Sequence, residues 1–246
     1  CHIEVLHISR EDWDIRASLC GRLMMLGSPM AFQNTVIAIG GMITQTIVNG
    51  FDVPFIAGFT ATNKLYGVLE VAATSYGYAM STYAGQNLGA RRVDRISRGV
   101  RAGLVIALAT SVVIAALMLA AGRWILSCFI SAGTAESVQA MDVAYCYLAV
   151  MSLCLPVLYV LHMTRSCIQG LGNTVLPMVS GIAEFGMRTG GALLLPAFLD
   201  ETGVMVAEVL AWMGADLILV PSYFRVMARV RRELAADSPA AEVSTD

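Results

Sequence analysis

The chain has 246 residues, of which 57% are hydrophobic and only 14% are charged, and its mean hydropathy is +0.68. A soluble domain of this size carries roughly 25% charged residues, so this composition leaves too few charges to cover a water-facing surface. The net charge is only −2, and no basic stripe with interleaved aromatic residues is present, which argues against nucleic acid as a partner. The composition therefore predicts an integral membrane protein.

Six apolar stretches, taken in chain order, are each long enough to cross a hydrocarbon core of ~30 Å, which needs about 20 helical residues. They run approximately over Leu23–Asn49, Pro54–Ala84, Ala102–Gly122, Val143–Met163, Val175–Leu199 and Val204–Phe224. Turn or charge signals separate them, and none shows the short alternating pattern of a β-barrel strand. The sequence thus predicts an all-α integral membrane fold, a bundle of six transmembrane helices.

The polar segments complete the predicted organisation. Residues 1–22 form a cytoplasmic arm, residues 23–225 the six-helix transmembrane lobe, and residues 226–246 a cytoplasmic tail. With both termini in the cytoplasm, 13 of the 16 Lys and Arg residues, Arg165 among them, face the cytoplasm, and only Arg123 faces the other side. Cytoplasmic loops are enriched in Lys and Arg. We therefore predict a multi-pass protein of the cell membrane with both termini cytoplasmic.

The fifth predicted helix contains Glu184 and Arg188 near its middle. Each charge at the bilayer centre costs roughly 2.5–3.5 kcal/mol on insertion scales, so both side chains must face protein or water. A Glu four residues before a basic residue is the favourable order for an ion pair on one helix face. Two interpretations stay open: a structural clamp between helices, or a pair that contacts the substrate or an ion.

The second predicted helix carries Lys64, the only lysine of the chain, and Glu70. Their six-residue spacing puts them about 120° apart around the helix. Glu70 lies on a stripe of small and polar residues. The stripe is Asn63, Gly67, Glu70, Thr74, Gly77 and Ser81. Small residues permit close helix packing, while an intramembrane acid that lines a cavity is a candidate functional residue. Both interpretations of the stripe stay open, and the mid-span position of Glu70 favours a functional role for that residue.

Further candidates for a substrate or ion pathway lie on the other helices. Asn34 and Gln45 belong to an uncharged polar stripe on the first helix, and Tyr159 follows a proline that interrupts the fourth. The sixth helix holds Asp216 at depth, whereas Glu208 lies close enough to the outer end for us to expect it to reach water.

Catalytic and metal-binding motifs are missing from the sequence. It has no G-x-x-x-x-G-K-[ST], GxSxG or HExxH pattern, its three histidines are scattered, and its six cysteines form no CxxC. We therefore expect no enzymatic activity, no metal site and no cofactor beyond a coupling cation.

Four motifs resemble one transporter family. They are the run GQNLGA at 85–90 with the basic residues that follow it, GSPM at 27–30 with Gln33, QGLGNT at 169–174, and Glu184-x-x-x-Arg188. In their order along the chain, and over about Asp12 to Arg232, they resemble the second lobe of the multidrug and toxic compound extrusion (MATE) family. The first motif is the most specific of the four.

The resemblance implies a twelve-helix transporter whose two six-helix lobes enclose a substrate cavity. Such proteins export cationic or amphipathic compounds in exchange for H⁺ or Na⁺. It also implies that the first lobe of the same protein is a partner of this chain and that residues 1–22 are the inter-lobe linker; a half-size transporter that dimerises is the alternative. Some branches carry coupling acids in the first and fourth helices of this lobe, and this chain does not, so the coupling residue and the ion stay open.

Two other functions are alternatives to transport of this kind. A lipid-linked oligosaccharide flippase of the same wider superfamily would hold pyrophosphate in a strongly cationic cavity. The predicted spans hold two cations, Lys64 and Arg188, against the acids Glu70, Glu184 and Asp216, which disfavours a flippase. An intramembrane enzyme would need paired catalytic groups at one depth, and only Glu184 and Arg188 approach this. We predict an efflux antiporter whose partners are membrane lipid and a small organic cation or amphipathic substrate.

Overall fold

The computed structural model describes residues 16–130 and 133–236. Its helices, in chain order, are α1 (Ala17–Val48), α2 (Val53–Gly89), α3 (Val93–Leu126), α4 (Ala135–Gly170), α5 (Val175–Leu194), α6 (Pro196–Leu199) and α7 (Thr202–Ala236). The all-α fold is confirmed for the described residues. Residues 1–15 of the predicted arm and residues 237–246 of the predicted tail lie outside them.

Most helices extend beyond the apolar stretches that predicted them. Residues 17–22 and 226–236, assigned to the arm and the tail, belong to α1 and α7. The fifth predicted stretch divides into α5 and the short α6 at Pro196. Proline has no backbone N–H to continue a helical ladder. Hydropathy locates the apolar part of a helix, whereas its ends depend on caps and prolines.

Side-chain caps begin two of the long helices. The Asp52 carboxylate accepts a hydrogen bond from the Phe55 backbone N–H at 3.2 Å, at the start of α2. Thr134 and Ser137 form a reciprocal capping box at the start of α4. These caps satisfy backbone donors that the first turn of a helix leaves without partners.

The GQNLGA run ends α2 and leads into the turn before α3. The Tyr83 hydroxyl, just before the run, donates to the Arg95 carbonyl oxygen at 2.9 Å, and Asn87 within the run donates to the Tyr83 carbonyl oxygen at 2.8 Å. A Cβ atom at Gly99 would overlap the Tyr83 ring. The motif and the glycine that follows it therefore join α2 tightly to α3.

The long helices pack in two groups. The contacts of α2 and α3 are mainly with α4, while α5 lies between α1 and α7. Contacts between α4 and α7 join the groups, whereas α1 barely touches α2. The largest buried side chains of the core include Tyr147, Tyr159 and Trp212. This arrangement leaves space between α1 and α5 on one side and α2 and α4 on the other.

Four described helices, α1, α3, α4 and α7, are long and apolar enough to cross a membrane by themselves. The remaining two predicted spans, α2 and α5, contain the charged residues discussed above, which lower their mean hydropathy. Each packs between or against the more apolar helices. The protein is therefore a multi-pass membrane bundle in which the most polar spans rely on neighbouring helices.

Candidate functional site

A cavity of about 460 Å³ opens between the two groups of helices. Residues of α1, α2, α4, α5 and α7 contribute to its walls. Its lining includes three carboxylates, two guanidiniums and one imidazole. They belong to Glu70, Glu184, Glu208, Arg165, Arg188 and His162. The cavity thus brings together charged and titratable groups from four of the five helices around it.

Four of these residues form a continuous chain of ion pairs. Arg165 Nη2 lies 2.5 Å from Glu184 Oε2, Glu184 Oε1 lies 3.1 Å from Arg188 Nη2, and Arg188 Nη2 lies 2.8 Å from Glu208 Oε1. All four side chains are at most 14% exposed. We name Arg165–Glu184–Arg188–Glu208 the ion chain. It connects α4, α5 and α7.

The ion chain shows that the pair predicted on the fifth helix is not isolated. Glu184 and Arg188 do pair, but each also has a second partner on another helix. Removing one member of a buried pair leaves its partner's charge uncompensated and typically costs ~3–5 kcal/mol. The ion pairs join α5 to α4 and to α7. The same four residues line the cavity, so the ion chain is also part of the cavity wall.

Two sequence interpretations are wrong here. Arg165, counted with the cytoplasmic residues, is 9% exposed inside α4 and belongs to the ion chain. Glu208, expected to reach water, pairs with Arg188. Glu184 and Arg188 each retain hydrogen-bonding capacity after pairing with each other, so the sequence indicates that further partners exist, but it does not identify which residues of the other helices they are.

Glu70 is the cavity acid outside the ion chain. Its Oε1 lies 3.7 Å from His162 Nε2, and its side chain is 40% exposed, against 6% for Glu184. Among the described residues no arginine or lysine lies within ion-pair distance of it. Glu70 is thus the carboxylate of the cavity that is most accessible to a soluble ion or ligand.

Aromatic and apolar groups complete the cavity wall. Tyr66 and Trp212 stack with ring centroids 5.7 Å apart, and both line the cavity. Ile37, Leu158 and Leu161 contribute aliphatic surface. Aromatic faces attract organic cations, so the wall combines apolar, aromatic and acidic groups.

The uncharged candidates on α1 lie near the same space. Asn34 lines the cavity. Gln45 lines a smaller adjoining cavity of about 260 Å³, to which Glu70, Arg188 and Glu208 also contribute. The structure therefore brings Asn34, Gln45, Glu70, Glu184 and Arg188 together.

The other three candidates lie apart from this cavity. Lys64 is exposed on another face of α2, in a shallow pocket with Phe129. Tyr159 is 1% exposed in the core beside Tyr76, and its hydroxyl has no hydrogen-bond partner among the described residues. Asp216 also has a buried carboxylate oxygen without such a partner, outside the cavity lining. In residues 16–130 and 133–236 no cluster of three metal-binding side chains is found.

The small polar stripe of α2 has both of the roles that were left open. Glu70 and Thr74 line the main cavity, and Gly67 lines the smaller one. Gly77 instead packs against α4, where an added Cβ would lie 2.6 Å from Ser166 Oγ and 3.2 Å from the His162 carbonyl oxygen. One stripe therefore forms a cavity wall along one part and a helix contact along the next.

The described residues thus form a lobe of long apolar helices with a charged cavity between them. The MatE family model matches residues 29–192, two thirds of the chain. The chain belongs to this family, the multidrug and toxic compound extrusion family that its motifs resemble. This confirms the resemblance.

Two curated proteins of Bacillus subtilis (strain 168) are similar to the chain. The probable multidrug resistance protein YoeA is 22% identical over 206 residues, which is 82% of this chain and 43% of the relative. The probable multidrug resistance protein YpnP is 31% identical over 74 residues, 30% of this chain and 17% of the relative. The chain thus matches less than half the length of these relatives.

Solved transporters have the same fold. A crystal structure of MATE in complex with MaL6 has a TM-score of 0.83 at 16% identity, over 94% of this chain and 52% of that chain. A MOP superfamily transporter from Pyrococcus furiosus, described as having a binding pocket of reverse polarity, has a TM-score of 0.74 at 16% identity, over 80% of this chain and 43% of that chain. The chain therefore has the fold of one MATE lobe.

Proposed function

We propose that this chain is the C-terminal lobe of a secondary efflux antiporter that exports cationic or amphipathic compounds in exchange for H⁺ or Na⁺. One observation carries the proposal: the cavity combines an accessible acid, Glu70, with a wall of aromatic and aliphatic side chains. An organic cation needs both, because its charge requires a carboxylate or an aromatic face and its body requires apolar surface.

The charge of the cavity favours cations over phosphorylated lipids. Three carboxylates face two guanidiniums, so the lining has an excess of one negative charge when His162 is neutral. Both guanidiniums are already paired with carboxylates in the ion chain. A pyrophosphate group would therefore meet no free cation among the described lining residues, which disfavours the flippase.

Glu70 is the proposed site at which substrate and coupling cation compete. A carboxylate that binds either an organic cation or a coupling ion, but not both, makes one leave when the other arrives. Glu184 and Glu208 are less suited to this exchange, because their charges are compensated by arginines and their side chains are buried. The first lobe of the complete transporter would close the opposite side of the cavity.

The test uses the full-length protein in proteoliposomes and measures efflux of a cationic dye driven by a pH gradient or a Na⁺ gradient. We expect Glu70→Gln to lower the transport rate about tenfold, the effect of a ~1.4 kcal/mol increase in barrier, with membrane abundance unchanged. Glu233→Gln is the matched control, because Glu233 is an exposed acid at the end of α7, outside the cavity lining.

Three outcomes would contradict the proposal. One is a wild-type rate for Glu70→Gln under both gradients, which would make Glu70 a packing residue. Another is an equal loss in the Glu233→Gln control. The third is gradient-independent movement of a lipid pyrophosphate by the wild type, which would support the flippase.

A further inference from the structure

A separate groove of about 360 Å³ lies between α3, α4 and α7. It shares no residue with the charged cavity. Its position is toward the start of α3 and the end of α7, the end of the lobe where most described arginines lie. We name it the basic-end groove. The transport proposal assigns nothing to it.

The long walls of the basic-end groove are apolar. Leu104, Val160, Val220 and Phe224 contribute to them from three different helices. Phe224 is 65% exposed, so its ring faces the surroundings of the bundle instead of its core. In a membrane protein, such surface at a helix boundary contacts lipid tails.

Two arginines mark the polar end of the groove. Arg101 comes from α3 and Arg231 from α7, and the Arg231 Nη2 donates a hydrogen bond to Ser97 Oγ at 2.9 Å, which holds its guanidinium against α3. Within the described residues, neither arginine has a carboxylate at ion-pair distance. Two guanidiniums with free donors at the end of an apolar groove fit an anionic group attached to a hydrocarbon chain.

The length of the groove matches one leaflet. Val220 and Arg231 are both lining residues of α7, and the eleven residues from one to the other span about 16 Å at the helical rise of ~1.5 Å. Half of a hydrocarbon core of ~30 Å is about 15 Å. A headgroup at the arginines would therefore place its tail along the apolar walls, within a single leaflet.

We propose that the basic-end groove binds one anionic phospholipid, with its phosphate held by Arg101 and Arg231 and one acyl chain lying along Leu104, Val160, Val220 and Phe224. A phospholipid with a net negative headgroup is favoured over a zwitterionic one, because no carboxylate in the groove compensates a choline or ethanolamine amine. A free phosphate would use the arginines but not the apolar walls.

The experiment uses the full-length protein with Phe224→Trp as a fluorescent reporter in the groove and the Phe224 parent for background. Lipids with brominated acyl chains quench tryptophan on contact. The quantity measured is the ratio of apparent affinities for brominated phosphatidylglycerol and brominated phosphatidylcholine. We expect the reporter to prefer phosphatidylglycerol.

The variant pair is Arg101→Gln with Arg231→Gln, and the matched control pair is Arg98→Gln with Arg225→Gln. Both pairs remove one exposed arginine from α3 and one from α7, but the control residues lie outside the groove lining. Each groove arginine is expected to contribute roughly fivefold to the preference. The groove pair should therefore abolish most of it, and the control pair should change it less than about twofold.

Two results would overturn the proposal: an equal loss of the phosphatidylglycerol preference in both variant pairs, or an unchanged preference in the groove pair. Either result would mean that the preference does not come from the two groove arginines. A second measurement keeps the native arginines and so does not depend on the variants folding. Short-chain phosphatidylglycerol should displace the brominated lipid from the reporter, and glycerol 3-phosphate at the same concentration should not. Displacement by glycerol 3-phosphate would show a site for a free anion, and no displacement by either would show that the groove is not a saturable site.

Discussion

At the scale of single residues, the members of the ion chain differ in how many partners they have: inner members have two and outer members have one. Glu184 and Arg188 each have two partners, whereas Arg165 and Glu208 each have one. Replacing both members of an isolated buried pair by apolar residues is often close to neutral. In a four-membered chain the result depends on which two members are replaced, because the charges left behind are either paired or stranded.

This difference predicts an order of stability for two double variants. Arg165→Met with Glu184→Leu removes an outer pair and leaves Arg188 and Glu208 joined. Glu184→Leu with Arg188→Leu removes the inner pair and leaves two buried, unpaired charges, at a cost of about 3–5 kcal/mol for each stranded partner. We expect the inner-pair variant to be much less abundant as folded protein, measured by fluorescence-detected size exclusion and thermal unfolding in detergent.

Equal abundance of the two double variants would show that the ion chain does not act as a unit. The transport rate, corrected for abundance, provides a second readout. If the outer-pair variant folds but does not transport, Arg165 or Glu184 contributes to transport beyond holding α4 against α5.

At the scale of helices, the contact between α2 and α4 depends on close backbone approach. A Cβ atom at Gly58 would lie 2.5 Å from the Ala140 carbonyl oxygen and 3.0 Å from the Ala144 backbone nitrogen. Thr62, one turn further along α2, donates to the Ala144 carbonyl oxygen at 2.8 Å in the same buried contact. Small residues and hydroxyl-to-carbonyl bonds are the usual means by which helices associate in membranes.

We therefore predict that Gly58→Ala destabilises the lobe by about 1–3 kcal/mol, the usual range for added volume in a packed site. The reason is that the new methyl group meets backbone atoms, which cannot turn aside as a flexible side chain can. The matched control is Gly67→Ala on the same helix, where an added Cβ has no other atom within 4 Å. Thermal unfolding of both variants in one detergent checks this, and equal transition temperatures would refute the close-contact explanation.

At the scale of the whole molecule, sidedness in the membrane follows from the arginine distribution. Arg165 is buried, so it no longer counts among the basic residues that face water. The other described basic residues still concentrate at one end of the bundle. That end holds the start of α1, the α2–α3 turn and the end of α7. The positive-inside rule then predicts that this end is cytoplasmic.

Two exposed cysteines at opposite ends test the orientation. Cys20 lies in the first turn of α1, at the basic end, and Cys128 follows α3 at the other end. Cys167 cannot report sidedness, because it is 0% exposed. In single-cysteine variants of the full-length protein, an impermeant thiol reagent should label Cys128 in intact cells and Cys20 only after permeabilisation. The reverse pattern would invert the topology.

The sequence alone predicted part of the site correctly and left part of it unassigned. Glu184 and Arg188 were recognised as a pair, because residues four apart on a helix lie next to each other on the same face. The six-residue spacing also separated Lys64 from Glu70, and the structure places them on different faces of α2. Arg165 and Glu208 were missed because their partners come from other helices, and the sequence does not state which helices are neighbours.

The amino-acid sequence by itself determined the membrane class, the approximate spans and the family, and it predicted Glu70 as an intramembrane acid. These properties depend on the average hydropathy of a stretch or on short motifs, so residues close together in the sequence are enough to predict them. Only the tertiary structure decided that Glu184 and Arg188 belong to a four-membered chain, that Tyr159 lies in the core, and that α3, α4 and α7 leave a groove at the basic end. Those features depend on distances between residues that are far apart in the chain. These distances are determined by which helices pack against each other.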